Sequence, residues 1–220
     1  MKIGVIGSGN VGGTLGRRWS EAGHEVIFGV RDLESQKAKD LLKSATKNLS
    51  AATVREAVAR SEVVILAVPW TAARSAIQAA GELKGKILVD CTNPLAEDLK
   101  GLSVGLTTSA GEQVAGWTKG AWVVKAFNNT GWQNMANPLW GPERLTMFLC
   151  GDDAEAKRVV IRLAEDLGFE ACDSGPLSVA RYLEPLAMLW ITLAYAPMGR
   201  GSARTSPSRS SGVDPGSPDG

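Results

Sequence analysis

From residue 2 to about residue 195, short runs rich in β-branched residues alternate with amphipathic stretches. KIGVIG (2–7), EVIFGV (25–30), VVILAV (63–68), KILVDC (86–91), AWVVKAF (121–127), LTMFLC (145–150) and FEACDS (169–174) have strand length and strand composition. A further short strand is expected at 49–51. Unbroken apolar runs such as 63–68 fit strands covered on both faces, as in a parallel sheet. Between the runs the period changes. Val11, Leu15 and Trp19 recur every fourth residue, with Arg17, Arg18 and Glu21 on other faces. Asp152 with Glu155, and Ser109 with Glu112, have the spacing of capping boxes at helix starts. This alternation predicts a doubly wound α/β fold with a mostly parallel sheet.

The pattern stops near residue 196. The stretch "GRGSARTSPSRSSGVDPGSPDG" contains Val213 as its single large aliphatic residue and cannot bury enough surface to offset its ordering entropy. One domain over 1–196 and a disordered tail over 197–220 are therefore expected. With a formal net charge of +1, the chain offers no electrostatic case for a nucleic acid or an anionic membrane as partner. No apolar run looks long enough to span a bilayer, and Met1-Lys2 leads straight into a strand-like run, so no export signal is expected. Cys91, Cys150 and Cys172 lie far apart without C-x-x-C spacing, which fits a reducing cytoplasm rather than a disulfide or zinc framework.

Candidate chemistry begins at Gly7-Ser8-Gly9-Asn10-Val11-Gly12, a G-x-G-x-x-G. Its context matters more than its spacing. It follows a strand, opens an amphipathic helix and precedes a second strand, as a Rossmann-like dinucleotide-binding unit requires. Gly7 would permit the tight turn, Gly9 the approach of a pyrophosphate, and Gly12 close helix–strand packing. Free N–H groups at the helix start would face the phosphates.

The end of the second strand selects the nucleotide. NAD sites place Asp or Glu there to bind the ribose 2′-hydroxyl. Val30 stands at that position, followed by Arg31, whose guanidinium suits a 2′-phosphate. NADP is the expected cofactor, with Asp32 capping the following helix. "AVPW" supplies Ala67, Val68 and Pro69, and "DCTNP" supplies Asn93 and Pro94, at two further strand ends near the same crevice. The Asn93 amide suits a nicotinamide carboxamide.

Acid–base equipment is sparse. The single histidine, His24, precedes the second strand and so falls at the end of the sheet opposite the cofactor. Tyr182 heads no Tyr-x-x-x-Lys pair. Lys125 remains, with the face it takes left open by the strand pattern. Direct hydride exchange with a flavin-like ring, which needs orientation more than a side-chain acid, fits this poverty.

"IGSGNVGGTLGRRWSEAGHEVIFGVRD", "AVPW", "DCTNPL", "VVKAFNNTG" and "GPLSVARYLEP" together resemble the NADPH-dependent F-420 reductase family, whose fold also supplies the cytoplasmic domain of the STEAP metalloreductases. The resemblance runs from residue 2 to about residue 195. It implies that Gly7, Ser8, Gly9, Asn10, Val11 and Gly12 bind pyrophosphate and that Arg31 meets the 2′-phosphate. Pro69, Asn93 and Pro94 would lie by the nicotinamide, and the redox partner would pack near Ala126, Phe127 and Asn128. That partner would be coenzyme F-420 or a flavin, FMN or FAD. Leu177, Arg181 and Glu184 become pocket candidates, with an i,i+3 Arg181–Glu184 helix pair as the plainer reading. A homodimer is also implied. The chain departs from the family at Val30-Arg31, where a Ser-Arg pair is usual, and after residue 195, where the last helix normally continues. Trp70 should adjoin the nicotinamide crevice. Trp132 and Trp140 either cover the acceptor site or pin their loop to the core. A non-catalytic NADPH sensor and an imine reductase like pyrroline-5-carboxylate reductase are the alternative functions.

Overall fold

The computed structural model describes residues 1–43, 48–98 and 100–195. The expected tail at 197–220 lies outside the described residues.

In chain order the first half runs β1 (Lys2–Ile6), α1 (Asn10–Glu21), β2 (Glu25–Val30), α2 (Gln36–Lys43), β3 (Leu49–Thr53), α3 (Val54–Ala59), β4 (Val63–Leu66) and α4 (Trp70–Ala80). The second half runs β5 (Ile87–Asp90), α5 (Ala110–Trp117), β6 (Trp122–Lys125), α6 (Trp132–Ala136), a small hairpin β7 (Leu139–Trp140) and β8 (Glu143–Arg144), β9 (Thr146–Gly151), α7 (Ala154–Leu167), β10 (Glu170–Asp173) and, after a short 3-10 turn, α8 (Ala180–Tyr195). Eight strands form one sheet in the order β10-β9-β6-β5-β4-β1-β2-β3. Six of them, from β3 to β6 across the sheet, are parallel, and β9 pairs antiparallel to β6 through Val124 opposite Gly151. The doubly wound, mostly parallel fold expected from the sequence is present.

Alternating side chains feed two cores. Val63 and Ile65 join Leu15, Trp19 and the α7 residues Val160 and Leu163 on one face. Val64 and Leu66 join Ala73, Ile77, Val114 and Leu183 on the other. The continuous apolar runs thus do mark strands covered on both sides. Trp19 adds direction to its packing by donating its indole N–H to the Leu163 carbonyl at 2.9 Å.

Three local expectations need correction. Strand β6 stops at Lys125, two residues before the expected end, because Phe127 takes a left-handed φ of 61° and turns the chain away from the sheet. The α7 cap is Asp153, whose carboxylate accepts the Ala156 N–H at 2.8 Å; β9 runs one residue further than expected, so Asp152 is left to accept the Leu177 N–H instead. Glu155 pairs with Arg158 and closes no box. Ser109 and Glu112 do exchange hydrogen bonds at the start of α5, as their spacing suggests. Asp153→Ala should cost about 1 kcal/mol. Calorimetry should read that as a Tm fall of roughly 2–4 °C for a domain of this size.

Among the described residues, length and composition do single out one stretch, Leu177–Tyr195, as able to cross a membrane, with a mean hydropathy of 1.2, contrary to the expectation that none would. Its Glu184 is buried inside the protein, where it is tied to α5 and β6.

Candidate functional site

The carboxyl ends of the parallel strands gather on one edge of the sheet, where loops after β1, β2, β4, β5 and β6 can meet a ligand. At the β1–α1 turn Gly7 has φ +103°, and a Cβ there would lie 2.2 Å from the Ala67 carbonyl oxygen. A Cβ on Gly12 would lie 1.9 Å from the Gly7 carbonyl oxygen, so the helix can sit this close to the turn with glycine alone. Gly9 differs, since nothing stands within 4 Å of its Cβ position and its backbone is open to an incoming group. As N-cap of α1 it provides no side-chain hydrogen bond, leaving the helix-start N–H groups without a side-chain partner.

A cleft of about 870 Å³ opens over this turn. Gly7, Ser8, Gly9, Val30, Arg31, Asp32, Ser35, Ala67, Val68 and Pro69 line it, which brings together seven of the expected site residues. Arg31 is exposed at the end of β2 and has no ion pair among the described residues. Asp32 does not neutralise it. The Asp32 carboxylate accepts the Glu34 N–H at 2.9 Å, and the helix cap expected of Asp32 is supplied by Ser35, whose hydroxyl accepts the Ala38 N–H. An uncapped helix start, an open glycine and a free guanidinium in one cleft fit pyrophosphate plus a 2′-phosphate.

Other expected residues lie outside the cleft walls. Asn10, Val11 and Gly12 form the first turn of α1, with Gly12 buried. Asn93 and Pro94 follow β5, and Ala126, Phe127 and Asn128 follow β6. Asn93 and Asn128 meet across the two strand exits: the Asn128 amide donates to Asn93 Oδ1 at 3.1 Å, and the Asn93 amide donates to the Asn128 carbonyl at 3.3 Å. Phe127 points into the core, edge-on to Trp19 and Phe169 with ring centroids 5.4 and 6.4 Å away. Trp70 adjoins Pro69 in the chain, but its ring stacks on Trp117 at 5.3 Å. Trp132 is 38% exposed and Trp140 59%, while Met135 of α6 is fully buried.

The chief feature that sequence reasoning missed is a buried ion triad. The Lys125 ammonium lies 2.9 Å from Asp90 Oδ2 and 3.0 Å from Glu184 Oε1, with all three side chains 0–1% exposed. Burial alone would lower the Lys125 pKa, yet the two carboxylates outweigh it and hold the ammonium above its ordinary value. Glu184 therefore makes no helix pair with Arg181, whose guanidinium instead grips Glu112 in a bidentate contact at 2.9 and 2.6 Å. The signal was present as Asp90 and Lys125 inside otherwise apolar strands, since a charge there needs a buried partner.

Two of the thiols and the histidine are ill suited to catalysis at the cleft. Burial pushes the Cys150 thiol up to about 12 and the Cys91 thiol higher still. His24 sits before β2, with Nε2 2.9 Å from Asp166 Oδ2 on α7, and serves to join elements away from the cleft.

Fold and site define a Rossmann-type dinucleotide-binding protein. Comparison with known proteins carries this further. The family described as NADP oxidoreductase, coenzyme F420-dependent, matches residues 2–94. Over 207 residues the chain is 34% identical to the F420-dependent NADP reductase of Methanothermobacter marburgensis, covering 88% of this chain and 92% of that protein. It is 34% identical over 192 residues to Metalloreductase STEAP3 of Rattus norvegicus, spanning 86% of this chain but 37% of that protein. A crystal structure of a protein provisionally described as an F420-dependent NADP reductase, from Arthrobacter sp. FB24, superimposes with a TM-score of 0.79 at 33% identity, covering 88% of this chain and 93% of the other. The chain belongs to the F420-dependent NADP reductase family and is an NADP-dependent oxidoreductase.

Proposed function

We propose that the protein transfers hydride between NADPH and coenzyme F-420. The observation that carries this reading is the cleft that joins an uncapped helix start to Arg31, in a chain that matches reductases of that name over nearly their whole length. The reaction balances as NADPH, a proton and the oxidised deazaflavin giving NADP⁺ and the reduced deazaflavin, with two electrons and one hydrogen moving together.

The chain's own part is to bind and orient. Helix-start N–H groups of residues 9–12 hold the pyrophosphate, and Arg31 holds the 2′-phosphate in a fork of two hydrogen bonds. Pro69, Asn93 and Pro94 border the nicotinamide, and the exit at Ala126, Phe127 and Asn128 borders the acceptor. Lys125 is enclosed by carboxylates and His24 lies before β2, away from the cleft, so proximity and alignment carry the rate.

Charge-assisted hydrogen bonds set the size of the Arg31 effect. Arg31→Ala should cut the preference for NADPH over NADH by about tenfold or more, read from kcat/KM with each nucleotide. An unchanged ratio would remove Arg31 from the 2′-phosphate.

The reading is tested anaerobically by mixing protein, NADPH and coenzyme F-420 and following the deazaflavin's visible absorption. Bleaching that needs NADPH and is much slower with NADH supports it. No bleaching removes coenzyme F-420; turnover with FMN or FAD would then name a flavin acceptor, and NADPH binding without any turnover would name a sensor. A cytoplasmic location belongs to the same reading, supported by three free cysteines. So does a homodimer, supported by Tyr182, Leu186, Leu189 and Leu193, exposed at helical spacing along α8. Sedimentation should then give twice the 23.2 kDa of one chain.

A further inference from the structure

The buried triad ends on a single residue, Thr92. Asp90 accepts the Thr92 N–H at 2.9 Å with one carboxylate oxygen and the Lys125 ammonium with the other. Lys125 also donates to the Thr92 carbonyl. Thr92, the residue before Asn93, is thus held by both its N–H and its carbonyl.

Glu184 fixes the grip from outside the sheet. Its two oxygens accept the N–H groups of Ala110 at 2.9 Å and Gly111 at 3.0 Å, at the start of α5, and one of them also meets Lys125. The triad carries one positive and two negative charges, and those helix-start N–H groups offset the second negative charge. Next to Glu184 on α8, the Leu183 carbonyl accepts the Asn128 side-chain N–H at 3.2 Å. Helix α8 therefore holds both halves of the Asn93–Asn128 pair, one through Lys125 and Thr92 and the other directly. Thr92 Oγ1 and Asn128 Oδ1 stay buried without a hydrogen-bond partner among the described residues, so hydrogen-bonding capacity remains unspent at this exit.

We infer that Glu184 is a positioning residue for hydride transfer, acting through Lys125 to hold the Thr92–Asn93 exit, and with it the Asn93–Asn128 pair, in the register that orients the nicotinamide. The inference rests on the function proposed above. Glu184 itself touches neither nicotinamide nor acceptor. The adenosine end, at Gly9 and Arg31, is built by β1 and β2 and does not depend on the triad.

Glu184→Gln tests this, because it leaves Lys125 and Asp90 as a balanced pair while turning an amide toward the ammonium. Three quantities are measured: NADPH Kd by equilibrium dialysis, emission of the bound nicotinamide, and turnover with coenzyme F-420. A ring that loses its fixed orientation should lower turnover by about tenfold to a hundredfold. Its emission should fall toward that of free NADPH, with Kd within about twofold of the wild type. Asp153→Ala calibrates a purely structural loss, lowering Tm without moving emission or turnover. If Glu184→Gln does not fold, Glu184→Asp, which keeps the charge and draws it back by one methylene, should give the same split between Kd and turnover. Unchanged emission and turnover in a folded variant overturns the inference, as does a loss of turnover matched by loss of NADPH affinity. A wild-type protein that binds NADPH but fails to bleach coenzyme F-420 removes the proposed acceptor alone; the emission comparison still decides the role of Glu184.

Discussion

Gly12→Ala is expected to abolish NADPH binding, with Kd weakened more than a hundredfold. The added Cβ would lie 1.9 Å from the Gly7 carbonyl oxygen and 3.1 Å from the Ala67 Cβ, and the first of these contacts is with backbone that no rotamer can clear. Either α1 moves outward or the Gly7 turn opens, and both carry the helix-start N–H groups away from the pyrophosphate. Losing two or three charge-assisted hydrogen bonds at about 1.5–3 kcal/mol each accounts for the size of the effect. Equilibrium dialysis checks the affinity and circular dichroism checks that the fold persists. Gly9→Ala is the informative companion, because the protein itself leaves space there. It should fold, losing at most about 1 kcal/mol as an N-cap, and any loss of binding would then come from the cofactor side.

Lys125→Met should be strongly destabilising. It leaves Asp90 and Glu184 as two buried carboxylates without their shared cation, and breaking such a pair costs about 3–5 kcal/mol. For a domain of this length the Tm should drop by on the order of 10 °C. Calorimetry of the purified variant measures it. A drop within 2 °C of that for Asp153→Ala would mean that the triad contributes no more than one helix cap.

These two sites differ in how far the sequence disclosed them. Gly7, Gly9 and Gly12 were legible because their roles are local: strand, turn and helix lie within 20 residues, and the spacing encodes the turn. The place of Arg31 on the cleft wall was legible for the same reason, at a fixed distance along the second strand. The Lys125 triad joins residues 35 and 59 positions apart, on two strands and a helix, and a single sequence carries no record of which distant charge meets which. Its presence was inferable from a lysine and an aspartate in apolar runs, but not its members. Phe127 shows another limit. Its apolar side chain continues the β6 pattern, so the strand looked two residues longer, while its left-handed backbone breaks the strand and sends Asn128 toward Asn93 and α8. At α7 the misplaced cap came from two adjacent aspartates. Asp152 and Asp153 are equivalent by spacing to within one residue, and only the length of β9 decides between them.

The central claim is that this chain orients two redox rings for direct hydride transfer and supplies no proton relay of its own. Deuterium tracing tests it most directly. NADPH labelled at C4, in each of the two stereochemical positions separately, is allowed to reduce coenzyme F-420 in ordinary water, and the product is weighed by mass spectrometry. The account predicts that the label from one position, and not the other, is carried in full into the reduced coenzyme. Reduced coenzyme that carries no deuterium on its ring carbon from either preparation would contradict it.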